Sequence, residues 1–103
     1  MSLNETTKAK FHPGQIVSTH GALEALQAAG QQPHEFLVRH LSGDWGDLDD
    51  EDRQLNDAAL VDGSRLLSAY VTRKNERLWI ITEAADDERR RLCTTILFLA
   101  SQY

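Results

Sequence analysis

The fold is decided by residues 55–82, which read LNDAALVDGSRLLSAYVTRKNERLWIIT. Up to Gly63 the apolar residues recur every three or four positions, which is the period of a helix. After Gly63 strand-forming residues dominate, and the polar turn 73–76 separates two such runs. The sequence therefore predicts a helix that ends at Gly63 and then two strands, over residues 65–72 and 77–84, with Trp79 and Ile81 in the shared apolar interior.

Outward from this stretch, the chain predicts one short strand, two more helices and a last strand. Residues 15–18 are a strand candidate, and Thr19 can cap the helix that follows. Pro33 suits the first position of a second helix, and Asp49 can cap the third. Residues 92–99 form a strand, and we expect its apolar segment 94–99 to be paired centrally or buried in a dimer. The predicted fold class is α+β: a short N-terminal strand, three helices, then a three-stranded antiparallel meander with the helices on one face.

Length and composition predict one domain. The chain has 103 residues, of which 41% are hydrophobic and 26% charged, as is usual for a globular domain. We expect a flexible tail over residues 1–10 and a single α+β domain over 11–103.

Charge and cysteine content narrow the classes of function. The net charge of −5 disfavours direct nucleic-acid binding through a broad basic patch, and it also disfavours binding to anionic membranes. The single cysteine, Cys93, permits no intramolecular disulfide, and no apolar run approaches the length of a membrane span. Together these features predict a cytoplasmic protein.

An acidic segment is the most unusual local feature. It supplies the candidate interaction residues, which are Asp44, Trp45, Asp47, Asp49, Asp50, Glu51 and Asp52. Three interpretations stay open: acids that favour the positive end of a helix dipole, a mimic of the phosphate track of DNA that inhibits a DNA-binding protein, and a cation site. The spacing of calcium-binding loops is absent, which weakens the third.

Other reactive side chains point to structure more than to chemistry. None of the four histidines forms an H-x-x-x-H pair, so no metal ligand is assigned, and His40 lies on an apolar stripe. Cys93 in a strand is expected to pack as a small hydrophobe. The aromatic residues are expected mainly in the core, although a base-stacking surface beside sheet arginines is the alternative. We assign no catalytic residue and no cofactor.

A ribonuclease-like toxin is the enzyme alternative. Helices followed by an antiparallel sheet is the layout of small microbial ribonucleases, in which a carboxylate or histidine base works beside arginines. Glu83 and His40 would be the bases here, with Arg77 or Arg89 as the arginine. This rests on fold analogy, which does not fix function.

Five blocks in fixed order carry a resemblance to a known family. They are 43–48 (GDWGDL), 56–60 (NDAAL), 63–70 (GSRLLSAY), 78–84 (LWIITEA) and 94–97 (TTIL). The chain resembles a family of small bacterial "plasmid-related" proteins encoded on plasmids and integrative elements, over residues 11–103. It departs from that family at the loop 86–91 and at its last residues.

The resemblance implies an accessory protein of mobile genetic elements and no site residues. Some family members carry the name of the modification subunit of a type I restriction enzyme. That activity does not fit this chain, because it has no glycine-rich turn after a strand for a methyl donor and no base-flipping pocket motif. We therefore expect a non-catalytic protein that binds an unidentified protein partner, either through the acidic segment 44–52 or through the exposed edge of the sheet, with a homodimer as one possibility.

Overall fold

The structure, a computed structural model, describes residues 9–99 and has an α+β fold. The elements in chain order are β1 (Gln15–Ser18), α1 (His20–Ala28), α2 (Pro33–Leu41), α3 (Asp50–Asp62), β2 (Leu66–Val71), β3 (Arg77–Thr82) and β4 (Cys93–Leu99). The predicted class and the predicted order of three helices between a first strand and three later strands are confirmed.

Local sequence signals start and stop the helices as expected. The Thr19 hydroxyl accepts from the amide of Ala22 at the start of α1, and the Asp49 carboxylate accepts from the amide of Asp52 at the start of α3. Pro33 opens α2, where its missing N–H leaves no helical bond unmade. Gly63 ends α3 in the left-handed conformation, with φ of 86°, which residues with a side chain rarely adopt.

The sheet has four strands in the order β1-β4-β3-β2. Strands β2, β3 and β4 form the predicted antiparallel meander. Strand β1 runs parallel to β4 and completes a mixed sheet, so the sheet has one strand more than the predicted meander. Local patterns do not reveal this pairing, because a parallel neighbour is joined through a long connection, here the three helices followed by β2 and β3. The run 92–99 is accordingly central, between β1 and β3.

All three helices pack on one face of the sheet, which we call the covered face. Its main core consists of Ala22, Leu26, Phe36, Tyr70, Leu78, Ile80 and Ile96. A second cluster joins Trp45 and Ala59 to Leu66, with Phe11, Leu48 and Leu60 packed against it. The strand residues in both clusters have even numbers, because successive side chains point to opposite faces.

Trp79 and Ile81 correct one expectation. Both were expected in the shared interior, but they alternate with Leu78, Ile80 and Thr82, which are buried on the covered face. Trp79 and Ile81 therefore lie on the opposite face and are only half-buried. Apolar residues stand at both odd and even positions of β3, so the sequence period could not decide which set faces the helices.

The outer edge of β2 is closed by other parts of the chain. Asn56 of α3 pairs with the backbone of Leu67, its amide donating to the carbonyl and its oxygen accepting from the N–H. Farther along, the amide of Ala69 donates to Trp45, and the carbonyl of Ala69 accepts from Asp47. Gly46, at φ of 77°, lies against the Ala69 carbonyl, where a Cβ would clash. These bonds leave little free backbone for another strand to pair with.

The predicted flexible tail 1–10 falls almost entirely outside the described residues. Within them, the amide of Lys10 donates to the carbonyl of Leu41 at 2.8 Å, which ties the start of the described chain to the end of α2. Residues 100–103, at the other end of the predicted domain 11–103, also lie outside the described residues.

Candidate functional site

The acidic segment mostly holds its own loop and helix together. Asp44 forms an ion pair with Arg39, with 2.8 Å between Oδ2 and Nε, and its other oxygen accepts from the amide of Gly46. The hydrogen bond from Arg39 is the main reason that the pKa of Asp44 lies below its usual value. Asp49 is the N-cap of α3. These two carboxylates therefore have structural partners.

Trp45 is a core residue and does not present a binding surface. It is buried in the second core cluster, and its indole N–H donates to the carboxylate of Asp57 on α3 at 3.0 Å. A buried indole usually needs such an acceptor. The predicted interaction residue thus serves to fix the 44–48 loop against α3.

The remaining acids of the segment are exposed. Asp50, Glu51 and Asp52 form the first turn of α3, and Asp47 precedes it. Asp50 lies 3.8 Å from Arg53, with 95% of its side chain exposed, so the pair contributes little. Their position at the positive end of the α3 dipole is favourable without any ligand.

His40 lies at the centre of a buried chain of polar groups on the covered face. Its side chain is 0% exposed. Nδ1 lies 2.6 Å from Oγ of Ser68, and Nε2 lies 2.9 Å from Oγ1 of Thr82. Thr82 in turn lies 2.7 Å from Thr94, whose hydroxyl donates to the carbonyl of Pro13.

The end of this chain fixes the proton positions along it. A carbonyl only accepts, so the Thr94 proton points to Pro13 and Thr94 must accept from Thr82. Thr82 then accepts from Nε2–H of His40, and the bare Nδ1 accepts from Ser68. Every member is satisfied with the imidazole neutral. Burial, and to a lesser degree the positive charge of Arg91, lowers the pKa of His40 to about 4.

This arrangement does not offer His40 as a catalytic base. Both ring nitrogens are occupied, and the rings of Phe11 and Trp45 pack edge-on against the imidazole, with centroid distances of 5.3 and 5.8 Å. His40, placed on an apolar stripe by the sequence, is wholly buried and has side-chain partners at both ring nitrogens. Of the bases nominated for a ribonuclease, only Glu83 is exposed.

The other histidines and Cys93 are not gathered into a site. His20 pairs with Glu24 at 3.0 Å on the surface of α1, and His12 accepts from the amide of Gly14. Cys93 is half-buried rather than in the core, 3.8 Å from the hydroxyl of Thr95. Within the part of the chain that the structure describes, no group of three or more His, Cys, Asp or Glu side chains is placed to hold a metal ion.

A groove of about 550 Å³ lies between the N-terminal segment and the loop 86–91. Three arginines line it, and each has at least one protein partner. Arg91 donates to the carbonyls of Ala59, Ser64 and Glu83, and Arg89 donates to that of Val61. Arg90 pairs with acids of its own loop. The loop therefore caps the carbonyl end of α3 and leaves the groove mainly apolar.

The face of the sheet opposite the helices is apolar, and no described helix packs on it. We call it the open face; it consists of Val17, Leu67, Trp79, Ile81, Cys93, Thr95 and Leu97. The strand register places these residues in rows, because directly paired residues share a face. One row crosses all four strands, with Thr95 between Val17 and Ile81, and Ile81 beside Leu67. In the next row Leu97 lies beside Trp79, which is paired with the buried Ala69 of β2.

Charged side chains stand only at the two ends of this face. Arg77 occupies the start of β3. Glu83 follows its end and continues the ladder, since its amide donates to the carbonyl of Cys93. Arg65 directly precedes β2, and the alternation of side chains along the strand places it on the open face. All three are exposed. The open face thus has an apolar centre and charged residues at its two ends, as a docking surface does.

The sequence contains a pattern that indicates this apolar face, although the acidic segment is the more unusual feature of the composition. An antiparallel sheet with one solvated face normally alternates apolar and polar residues. Here adjacent positions are both apolar at 66–67, 80–81 and 97–98. Such doubled apolar positions indicate that both faces of the strands avoid water. Only the core contacts of the helices, however, show which of the two sets they cover.

No protein-family model, curated protein or solved structure matches the chain. Among residues 9–99, no helix combines the length and hydrophobicity needed to cross a membrane.

Proposed function

We propose that the protein is a non-catalytic accessory protein that binds another protein molecule through the open face of its sheet. One observation carries the proposal: Trp79, Ile81 and Leu97 form the middle of an apolar face on which no described helix packs. Contiguous apolar surface with a charged rim is typical of protein contacts and costly to leave in water. The resemblance to plasmid-related proteins adds a cytoplasmic role on mobile genetic elements to the proposal.

The alternative of DNA mimicry has less support from the geometry. It requires a track of carboxylates free to imitate phosphates. Asp44 and Asp49 are engaged within the protomer, and Trp45 is buried beneath the segment. The acids left for such a track are clustered in one helical turn, where the helix dipole already accounts for them.

Site-specific photocrosslinking in bacterial cells tests the proposal. A benzophenone amino acid replaces Ile81 on the open face, Glu51 in the acidic segment, or Leu23, an exposed apolar residue of α1. We expect cross-linked protein from position 81 and not from position 23. Capture from position 51 without capture from 81 would favour DNA mimicry, and no product at 81 would contradict the proposal.

A further inference from the structure

We infer that the occupant of the open face is a second copy of this chain, stacked sheet on sheet about a two-fold axis that crosses the strands at the level of Ile80. This inference rests on the proposed function and specifies its partner. It follows from the area of the face, from the arrangement of the charges at its ends, and from the closure of the β2 edge.

The area is sufficient for a dimer. Four strands spaced about 4.8 Å apart, each about six residues long at roughly 3.3 Å per residue, give a face of about 400 Å² before side-chain relief is counted. Two such faces amount to about 800 Å² as flat areas, and side-chain relief brings the buried area toward the roughly 1,000 Å² that a specific interface needs. The thickness of 24 Å along the shortest axis of the protomer fits one sheet and one helix layer, and a second protomer would complete a four-layer assembly.

The charges at the ends of β3 select the direction of stacking. Arg77 and Glu83 lie on the same face, six residues apart, on either side of Ile80. Among the ion pairs within residues 9–99, neither side chain takes part. An axis across the strands superposes β3 on β3 of the second copy in the opposite direction. Each Arg77 then opposes a Glu83, and the contact occurs twice by symmetry.

The other stacking direction is disfavoured. An axis along the strands would place the two Arg77 ends together, which sets like charges opposite each other. With the antiparallel arrangement, the centre of the interface consists of Trp79, Ile81, Thr95 and Leu97 from both copies. An aromatic residue at the centre of a dry patch is a typical anchor of binding energy.

Edge-to-edge pairing is the competing way for two sheets to meet. The β2 edge is occupied by Asn56 and by the Trp45–Asp47 backbone. At the opposite edge, β1 has only four residues. A face-to-face contact therefore uses the apolar open face and needs neither edge.

Light scattering coupled to size exclusion, from low micromolar to near-millimolar protein, tests the dimer. We expect a dimer for the natural chain and for Leu23→Glu, which adds a charge on exposed α1. Ile81→Glu should raise the dissociation constant at least about a hundredfold, since an unpaired carboxylate would be buried at the centre. A natural chain that stays monomeric throughout, or an Ile81→Glu variant that dimerises as well as the natural chain, would overturn the inference.

A charge-exchange series tests the direction of stacking. Arg77→Glu and Glu83→Arg should each weaken the dimer roughly tenfold, because each creates two like-charge contacts. The double variant should regain the natural affinity. Failure of the double variant to recover would rule out the antiparallel arrangement. If the purified chain is monomeric while position 81 still cross-links a different protein in cells, this inference fails and the proposed function stands.

Discussion

The two faces of the sheet consist of alternate residues of the same strands, yet one face buries polar side chains and the other leaves apolar side chains in contact with water. The covered face buries polar groups, including Ser68, Thr82 and Thr94, and each has a hydrogen-bond partner. The open face leaves Trp79, Ile81 and Leu97 half-exposed. The polarity of a side chain therefore does not predict its burial in this sheet. A polar side chain is buried where a neighbouring element supplies hydrogen-bond partners, and an apolar side chain is buried where a helix covers the strand.

The comparison also separates stability from binding. Residues on the covered face have lost their water in the protomer, so changing them acts on the free energy of unfolding. Residues on the open face still contact water in the protomer, so changing them acts mainly on association. Neighbouring residues of one strand can thus be used to distinguish the two effects.

The largest expected difference is between two adjacent isoleucines of β3. Ile80 is fully buried and Ile81 is half-buried. Ile80→Ala should lower the free energy of unfolding by about 4 kcal/mol, and Ile81→Ala by about 2 kcal/mol because part of Ile81 remains in water. Urea unfolding at protein concentrations below the dimer range measures both. Equal losses from the two variants would mean that the open face is covered within the protomer.

The covered face should also make stability depend on pH through His40. Folding lowers the pKa of His40 from its ordinary value near 6.5 to about 4, chiefly by burial. Between these values the unfolded chain binds a proton that the folded chain does not. The free energy of unfolding therefore has its full value above pH 6.5 and decreases as the pH falls, by about 3 kcal/mol near pH 4.

The matched variant for this pH effect is His40→Gln, which keeps a donor and an acceptor near Ser68 and Thr82 but cannot titrate. Its stability should be lower than that of the natural chain at pH 7 and nearly constant from pH 6.5 to pH 4.5. Asp44 does not contribute in this window, because its pKa lies below its usual value of 3.8. A slope in the variant as steep as in the natural chain would show that another group is responsible.

Local structure was predictable from the sequence, and the assignment of the two faces was not. Thr19, Asp49 and Gly63 act through bonds to residues within one turn, so their effect is visible in a short window of sequence. His40 instead meets Ser68 and Thr82, which are 28 and 42 positions away. The parallel pairing of β1 with β4 joins positions of even greater separation.

The sequence drew attention to the acidic segment and not to the open face for a related physical reason. The acidic segment is conspicuous in composition, but Asp44 and Asp49 are engaged with Arg39 and with the helix backbone. Trp45, assigned to the surface of that segment, is in the core. The open face is not conspicuous in composition, because its apolar residues are interleaved with equally apolar residues that do belong to the core. Only the register brings Val17, Thr95, Ile81 and Leu67 into one row.

A smaller effect is expected at the β2 edge, where the two faces of the sheet meet. Asn56 makes two hydrogen bonds to the backbone of Leu67, at 2.6 and 3.1 Å. Asn56→Ala leaves both backbone groups without that partner and should cost about 2 kcal/mol of stability. The amide of Leu67 should then exchange with solvent much faster. Gln54→Ala, at an exposed position of the same helix, is the matched control and should leave exchange at Leu67 unchanged.

Because Asn56→Ala also frees the β2 edge, association of this variant in solution distinguishes edge pairing from face stacking. Face stacking predicts that Ile81→Glu still prevents dimer formation when it is combined with Asn56→Ala. Dimers that persist in the double variant would have to form through the opened edge.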